Sequence, residues 1–169
     1  NASGNWSHAE GQDTNAEARA AHAEGYCSVA RGISSHAEGY VTYATQEGAH
    51  SEGSQTSASG RAAHAEGCVT KANGEYSHAE GRYTEASGTG SHAEGQYGTA
   101  SGEASHVEGY ETLASSQYQH VQGKYNIEDT NDVYAHIVGN GTSSERSNAH
   151  TLDWDGNAWY AGDLSADGN

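Results

Sequence analysis

The chain has 169 residues, of which only 33% are hydrophobic, and it contains no Phe, Met or Pro; a large apolar core is therefore excluded. Its 23 acidic residues against 7 basic ones leave a net charge of -16. That field repels phosphates and anionic headgroups, so neither nucleic acid nor a membrane surface is an expected partner. Such a composition would suit a disordered chain, but 11 Tyr, 3 Trp and a strict internal period point to order built by repetition.

The N-terminal stretch Asn1-Ala2-Ser3-Gly4 has no signal-peptide character, and any export signal is expected outside this chain. No apolar run is long enough to span a bilayer, so membrane insertion is not expected. From Ser7 onward the histidines His8, His22, His36, His50, His64, His78, His92, His106 and His120 follow one another at 14-residue intervals. Two residues after each comes Glu10, Glu24, Glu38, Glu52, Glu66, Glu80, Glu94 or Glu108, with Gln122 in the ninth unit. The unit reads Ser-His-Ala-Glu-Gly-x-x-Thr-x-Ala-Ser-Gly-x-x, as in Ser77 through Gly88.

Small residues alternate with variable ones in both halves, which is the period of a strand and not of a helix. Each unit is thus expected to form two short strands, with Ala9, Gly11, Thr14 and Ala16, or Ala79, Gly81, Thr84, Ala86 and Gly88, facing a very narrow interior. Stacked at the ~4.8 Å strand spacing, nine such coils make a rod roughly 40 Å long. Turns are expected at the variable pairs, with Gly25, Gly39 and Gly60 at positive φ. The missing proline fits a ladder in which nearly every N–H donates. Cys27 and Cys68 have no zinc or redox spacing; three coils apart, or ~14 Å, they lie too far from each other for a disulfide. A coil that buries a few Ala methyls recovers little of the entropy lost in ordering it, so stabilisation from other chains is expected.

After residue 125 the composition changes. Val133 to Val138 is apolar and β-rich, and Asp155-Gly156 between Leu152/Trp154 and Trp159/Tyr160 reads as a hairpin turn. The division expected is a solenoid shaft over residues 1–125 and a small β cap over 126–169, with Trp154, Trp159 and Tyr160 packing the cap.

The pattern Ser-x-Ala-x-Gly-x-x-Thr-x-Ala-x-Gly, over residues 7 to about 125, resembles the head repeats of trimeric autotransporter adhesins and related phage-fibre repeats. The resemblance implies an all-β fold, a left-handed parallel β-roll (β-solenoid) whose three chains pack side by side about a threefold axis. At the two axis-facing positions, where the adhesins carry Val or Ile, this chain carries the His and Glu rows, with Gln122 closing the Glu row. The tail from Tyr125 to Gly162, with its Ala135-His136-Ile137-Val138-Gly139 and Leu152-Asp153-Trp154-Asp155-Gly156 segments, resembles the autoproteolytic cleavage module that follows the shaft of some bacteriophage neck-appendage and tail-spike proteins. What the resemblance implies is a homotrimeric fibre segment of a virion tail or appendage, with a host receptor or glycan as a second partner and self-cleavage in a longer precursor. No Ser-Asp dipeptide, the scissile bond of related spikes, occurs in this chain. The alternative is an adhesin head on a bacterial cell surface.

No enzymatic activity and no cofactor are expected. His-x-Glu on a strand puts both side chains on one face, so the rows could coordinate metal, but nine equivalent positions speak for architecture first. Ser77-His78 with Glu80 is no hydrolytic triad, because neighbouring strand residues point to opposite faces. His136, His150 and Asp153 are expected to hydrogen-bond within the cap. Tyr26, Tyr40 and Tyr110 share one variable position and Tyr83 and Tyr97 the next, where they stack outside the rod or touch a sugar. Thr42, Thr56 and Thr70 fall in the inward set, which argues against ice binding. If protonated His pairs with Glu, the His pKa lies above ~6.5 and the Glu pKa below ~4.3, and stability peaks in mildly acid solution.

Overall fold

The computed structural model describes residues 1–162. It is a parallel β-solenoid, with twenty strands and no helix among the described residues. The first sheet has twelve strands: one from the first half of each repeat, His8–Gln12 to His120–Lys124, and then Tyr134–Asn140, Asn148–Asp153 and Ala158–Tyr160. The second has eight short strands, from Asn15–Ala16 to Leu113–Ala114.

Pairing within the shaft is parallel and without slip, so that His8 lies beside His22, Ala9 beside Ala23 and Glu10 beside Glu24. The strand period decides which residues face inward. Ala65 and Ala79 are fully buried, while His64, Glu66, His78 and Glu80 beside them are half-buried on the outer face. The interior is filled by Ala of both halves and by the Thr, Ser and Gly between them, with Thr42, Thr56 and Thr70 buried as expected. Some hydroxyls in this narrow space bond to one another or to backbone: Thr42 Oγ1 donates to Ser28 Oγ at 2.9 Å, and Thr84 Oγ1 to the Glu80 carbonyl at 2.9 Å, whereas Thr70 Oγ1 and Thr112 Oγ1 have no partner. The repeated Ser closes a turn, as when Ser77 Oγ donates to the Gly74 carbonyl at 2.8 Å and Ser91 Oγ to that of Gly88 at 2.8 Å.

Two expectations about glycine are corrected. Gly11 and Gly81 do not line the interior; they are exposed, at φ 108° and 97°, and a Cβ on Gly81 would lie 2.2 Å from the Gly95 carbonyl oxygen of the next coil. Gly25 and Gly39 do take positive φ, but Gly60 does not; a Cβ there would lie 1.8 Å from the Gly74 carbonyl oxygen, while Ala18, Gln46 and Ser116 stand at the same place in other coils. At the turns themselves, seventeen non-glycine residues among those described adopt left-handed φ, Tyr76 and Tyr83 included. Their N–H groups point back, Tyr76 to the Arg61 carbonyl and Tyr83 to the Cys68 carbonyl, both at 2.9 Å, while strand N–H groups such as those of His78 and Glu80 donate forward to Ser91 and Ala93. A reversed ladder bond offsets the ~1–2 kcal/mol of left-handed strain. Cys27 and Cys68 are both free; Cys27 stands on the turn of the second coil, at φ 54°, and Cys68 is a bridge residue of the fifth, beside Ser54 and Arg82.

The expected boundary at residue 125 is not a break in the sheet. Tyr134–Asn140 pairs in parallel with the last repeat strand, His120 beside His136 and Gly123 beside Gly139, and forms a tenth rung. The next two strands are antiparallel and make the expected hairpin, with Gly156 at φ 87°. Asp153 organises its turn by accepting from the N–H groups of Asp155 at 3.0 Å and Asn157 at 2.7 Å; with the Asn157 side chain, these bonds hold its carboxyl below the usual range. Trp154 and Trp159 stay 49% and 54% exposed within the single chain and do not fill the cap as expected, while Tyr160, 43% exposed, packs only against the His150 ring. Burial at this end comes instead from Ile137, Thr151 and a polar group, Gln119, Asn126 and Asp129. Asn126 ends the short-strand sheet: its Oδ1 accepts the Leu113 N–H at 2.8 Å and its Nδ2 donates to the Leu113 carbonyl at 2.9 Å, just as a further strand's backbone would. Asp129 Oδ2 accepts the N–H groups of Val133 at 2.9 Å and Tyr134 at 2.8 Å, turning the chain into the tenth rung.

Two stability measurements follow, both by thermal or urea unfolding. Asn126→Ala orphans a buried N–H and a buried carbonyl, and should cost ~2–4 kcal/mol. Ser77→Ala, a residue type already found at Ala21, Ala49 and Ala63, should cost only ~0.5–1.5 kcal/mol, while Gly81→Ala, strained and in collision with backbone, should cost more than ~3 kcal/mol.

Candidate functional site

The fold converts the sequence period into one continuous column. Imidazole rings from His22 to His120 stack face to face, with centroids 4.6 to 4.8 Å apart and planes within 7° of parallel. His8 begins the column with a tilted ring 4.9 Å from that of His22. His136 and His150 continue it at 5.2 and 5.5 Å, and Tyr160 closes it 4.5 Å from His150. All 11 histidines of the chain therefore share one row. Sequence spacing hides the last two because the ninth loop is two residues longer, 120 to 136 instead of 14; the signal that reveals them is Ala135-His136-Ile137-Val138-Gly139, which repeats the strand's own pattern.

The glutamate row runs alongside, and its pairing changes register along the rod. Glu24 and Glu38 lie 3.5 Å from His22 and His36 of their own strands. From Glu52 onward each carboxylate reaches the histidine of the following coil: Glu52 to His64 at 3.3 Å, Glu66 to His78 at 3.9 Å, Glu80 to His92 at 3.1 Å, Glu94 to His106 at 3.3 Å and Glu108 to His120 at 3.7 Å. Gln122 takes up the same relation to His136 at 3.4 Å. Outside the row, Glu10, Glu24 and Glu38 with Gly11, Gly25, Gly39 and Gly53 line an open, shallow groove.

Several ring nitrogens are shielded without being satisfied. Nε2 of His36, His50, His78, His106 and His120 is buried with no hydrogen-bond partner in the chain, although some of these atoms lie within ion-pair distance of a carboxylate; distance without alignment does not make the bond. Burial first, and then the charge of the neighbouring imidazoles, hold the pKa of His50, His78 and His106 below the usual imidazole value. His136 is lowered for the same reasons, by burial and then by His120 and His150. Adjacent carboxylates pull the other way and do not prevail. The expectation of a charge-paired column with raised His pKa values is thus corrected: rings stacked every ~4.8 Å disfavour neighbouring imidazolium charges.

The remaining sequence candidates fall elsewhere. Ser77 points inward and is committed to the Gly74 carbonyl, so it does not meet the His78 ring on the outer face. Asp153 lies in the hairpin turn. The tyrosines stack on the outside as expected, Tyr26 on Tyr40 at 5.3 Å and Tyr83 on Tyr97 at 5.0 Å; Tyr110 and Tyr125 prolong the second column edge-on and tilted. No protein-family model matches the sequence, and no curated protein matches it.

The pH dependence follows from the sign of the shifts. With folded pKa values lowered, the histidine contribution is fully present above the unfolded value of ~6.5 and is lost as pH falls through the folded ones. Thermal melts in the presence of a chelator should give a higher midpoint near ~pH 8.5 than near ~pH 5.5; the opposite order would restore the charge-paired column.

Proposed function

We propose that the chain is a structural segment of a homotrimeric fibre, in which three solenoids lie parallel with their His/Glu columns turned toward a common axis. One observation carries this reading: along the rod runs a face of half-exposed imidazoles and carboxylates in which Nε2 of His36, His50, His78, His106 and His120 finds no hydrogen-bond partner in its own chain. A surface so uniform, and so incomplete in one copy, suits contact with further copies of itself. The thin interior of Ala, Ser and Thr argues in the same direction, since it provides little hydrophobic stabilisation.

Among fibres, the tail's resemblance to phage neck-appendage and tail-spike modules favours a virion shaft with a role in host attachment. The repeats by themselves suit an adhesin head on a bacterial surface equally well. Genes flanking the reading frame separate these: virion-assembly genes are expected, and an anchor or coiled-coil stalk in the same frame would favour the adhesin. The assembly is tested by multi-angle light scattering, which should report three chains. A stable, folded monomer at micromolar concentration would overturn the trimer and with it the axial role of the columns.

A further inference from the structure

We infer that the histidine column binds divalent transition-metal ions, with Zn²⁺ as the type case, at two places set two coils apart. The site is made by side chains of a single chain, so it does not depend on the trimer.

Two triads define it. His50, Glu52 and His64 bring their ligand atoms within 4.8 Å of one another, and so do His78, Glu80 and His92, two coils further along. Their internal geometry is the same. In each, the carboxylate of the lower coil lies beside Nε2 of the upper histidine, at 3.3 Å for Glu52 and His64 and 3.1 Å for Glu80 and His92. Tetrahedral zinc with bonds of ~2.0–2.2 Å sets its ligand atoms roughly 3.3–3.5 Å apart. Two of three ligands therefore already stand at the edge length of the coordination polyhedron; because the two rings of each pair are stacked within 4° of parallel, the lower ring must turn about its Cβ–Cγ bond to aim its lone pair at the same ion. The third is the lower histidine, whose Nε2 in both triads is shielded from solvent and has no hydrogen-bond partner.

A ligand must be a neutral imidazole with a free lone pair. Two imidazoles and one carboxylate select Zn²⁺, Ni²⁺ or Cu²⁺ over Ca²⁺ and Mg²⁺, which prefer all-oxygen sites. The fourth position is left for water or for a group of a neighbouring chain. The two-coil spacing has a reason. Each histidine can serve one ion, and ions one coil apart would stand ~4.8 Å from each other and repel, whereas alternate coils separate them by ~9.6 Å. An ion at each triad would also offset the repulsion between stacked glutamates and cross-brace adjacent coils, which makes the role structural.

The test is metal uptake by the chelator-stripped protein near ~pH 7.5, where the imidazoles are neutral, with Zn²⁺ as the probe and bound metal counted after gel filtration. Both triads should fill, with a rise in melting temperature. Relative to the native chain, Glu80→Gln should release one ion, and Glu52→Gln with Glu80→Gln should release two, with the far-ultraviolet circular dichroism unchanged. Should the double variant not fold, Co²⁺ added to the native protein supplies an independent readout: a visible absorption band of tetrahedral cobalt that Zn²⁺ abolishes. Absence of Zn²⁺ uptake in the native protein, uptake unaltered in the folded variants, or Co²⁺ with no such band would each overturn the site.

Discussion

Everything in this structure depends on one constraint: each coil sits one strand spacing from the next, in exact register, so that every residue lies beside its own counterpart. In a globular protein, packing errors at one position can be absorbed by unlike neighbours. Here an oversized side chain would meet itself again in every coil. The interior consequently admits Ala, Ser and Thr, and one close backbone approach is glycine in every coil, as Gly81 illustrates with a virtual Cβ 2.2 Å from the carbonyl oxygen of the following coil. Apart from Val29 in the second coil, the larger apolar residues that are buried lie near the end of the stack, at Val107, Val121 and Ile137.

Stacking in register also creates an end problem, since the final coil would expose unpaired donors and acceptors. The chain solves it by chemistry, and aromatic burial plays little part. Asn126 presents its side-chain amide to Leu113 in place of a ninth short strand, and Asp129 collects the N–H groups that would otherwise be orphaned where the loop climbs into the tenth rung. Arg146 ties the cap back to the shaft through the Glu111 carbonyl at 2.8 Å and its carboxylate at 3.3 Å. Cap and shaft thus form one continuous sheet, and the exposed Trp154 and Trp159 are left outside the work of holding it together.

The same register makes the outer face a column of like groups, which is electrostatically unfavourable if all of them are charged. The lowered pKa values of His50, His78, His106 and His136 reduce that repulsion in one chain, and contact with further chains or with cations would reduce it more. This tension links the proposed trimer with the proposed metal sites: both are ways of completing a surface that a single chain leaves unsatisfied at Nε2 of His50 and His78.

The sequence by itself determined the solenoid, because a strict period of 14 with small residues at alternate positions admits few other solutions. It also determined the hairpin around Asp155-Gly156 and the common face of the His and Glu rows, both being local consequences of strand geometry. Tertiary structure alone decided how the rows interact. Whether Glu80 turns to His78 on its own strand or to His92 on the next depends on rotamers set by neighbouring coils, and no pattern in the unit encodes it. It likewise decided that His136 and His150 join the column, since a loop two residues longer must first be folded back into register. The protonation preference of the histidines belonged to the fold too: burial and the ring 4.8 Å away, rather than the glutamate two residues along, set its direction.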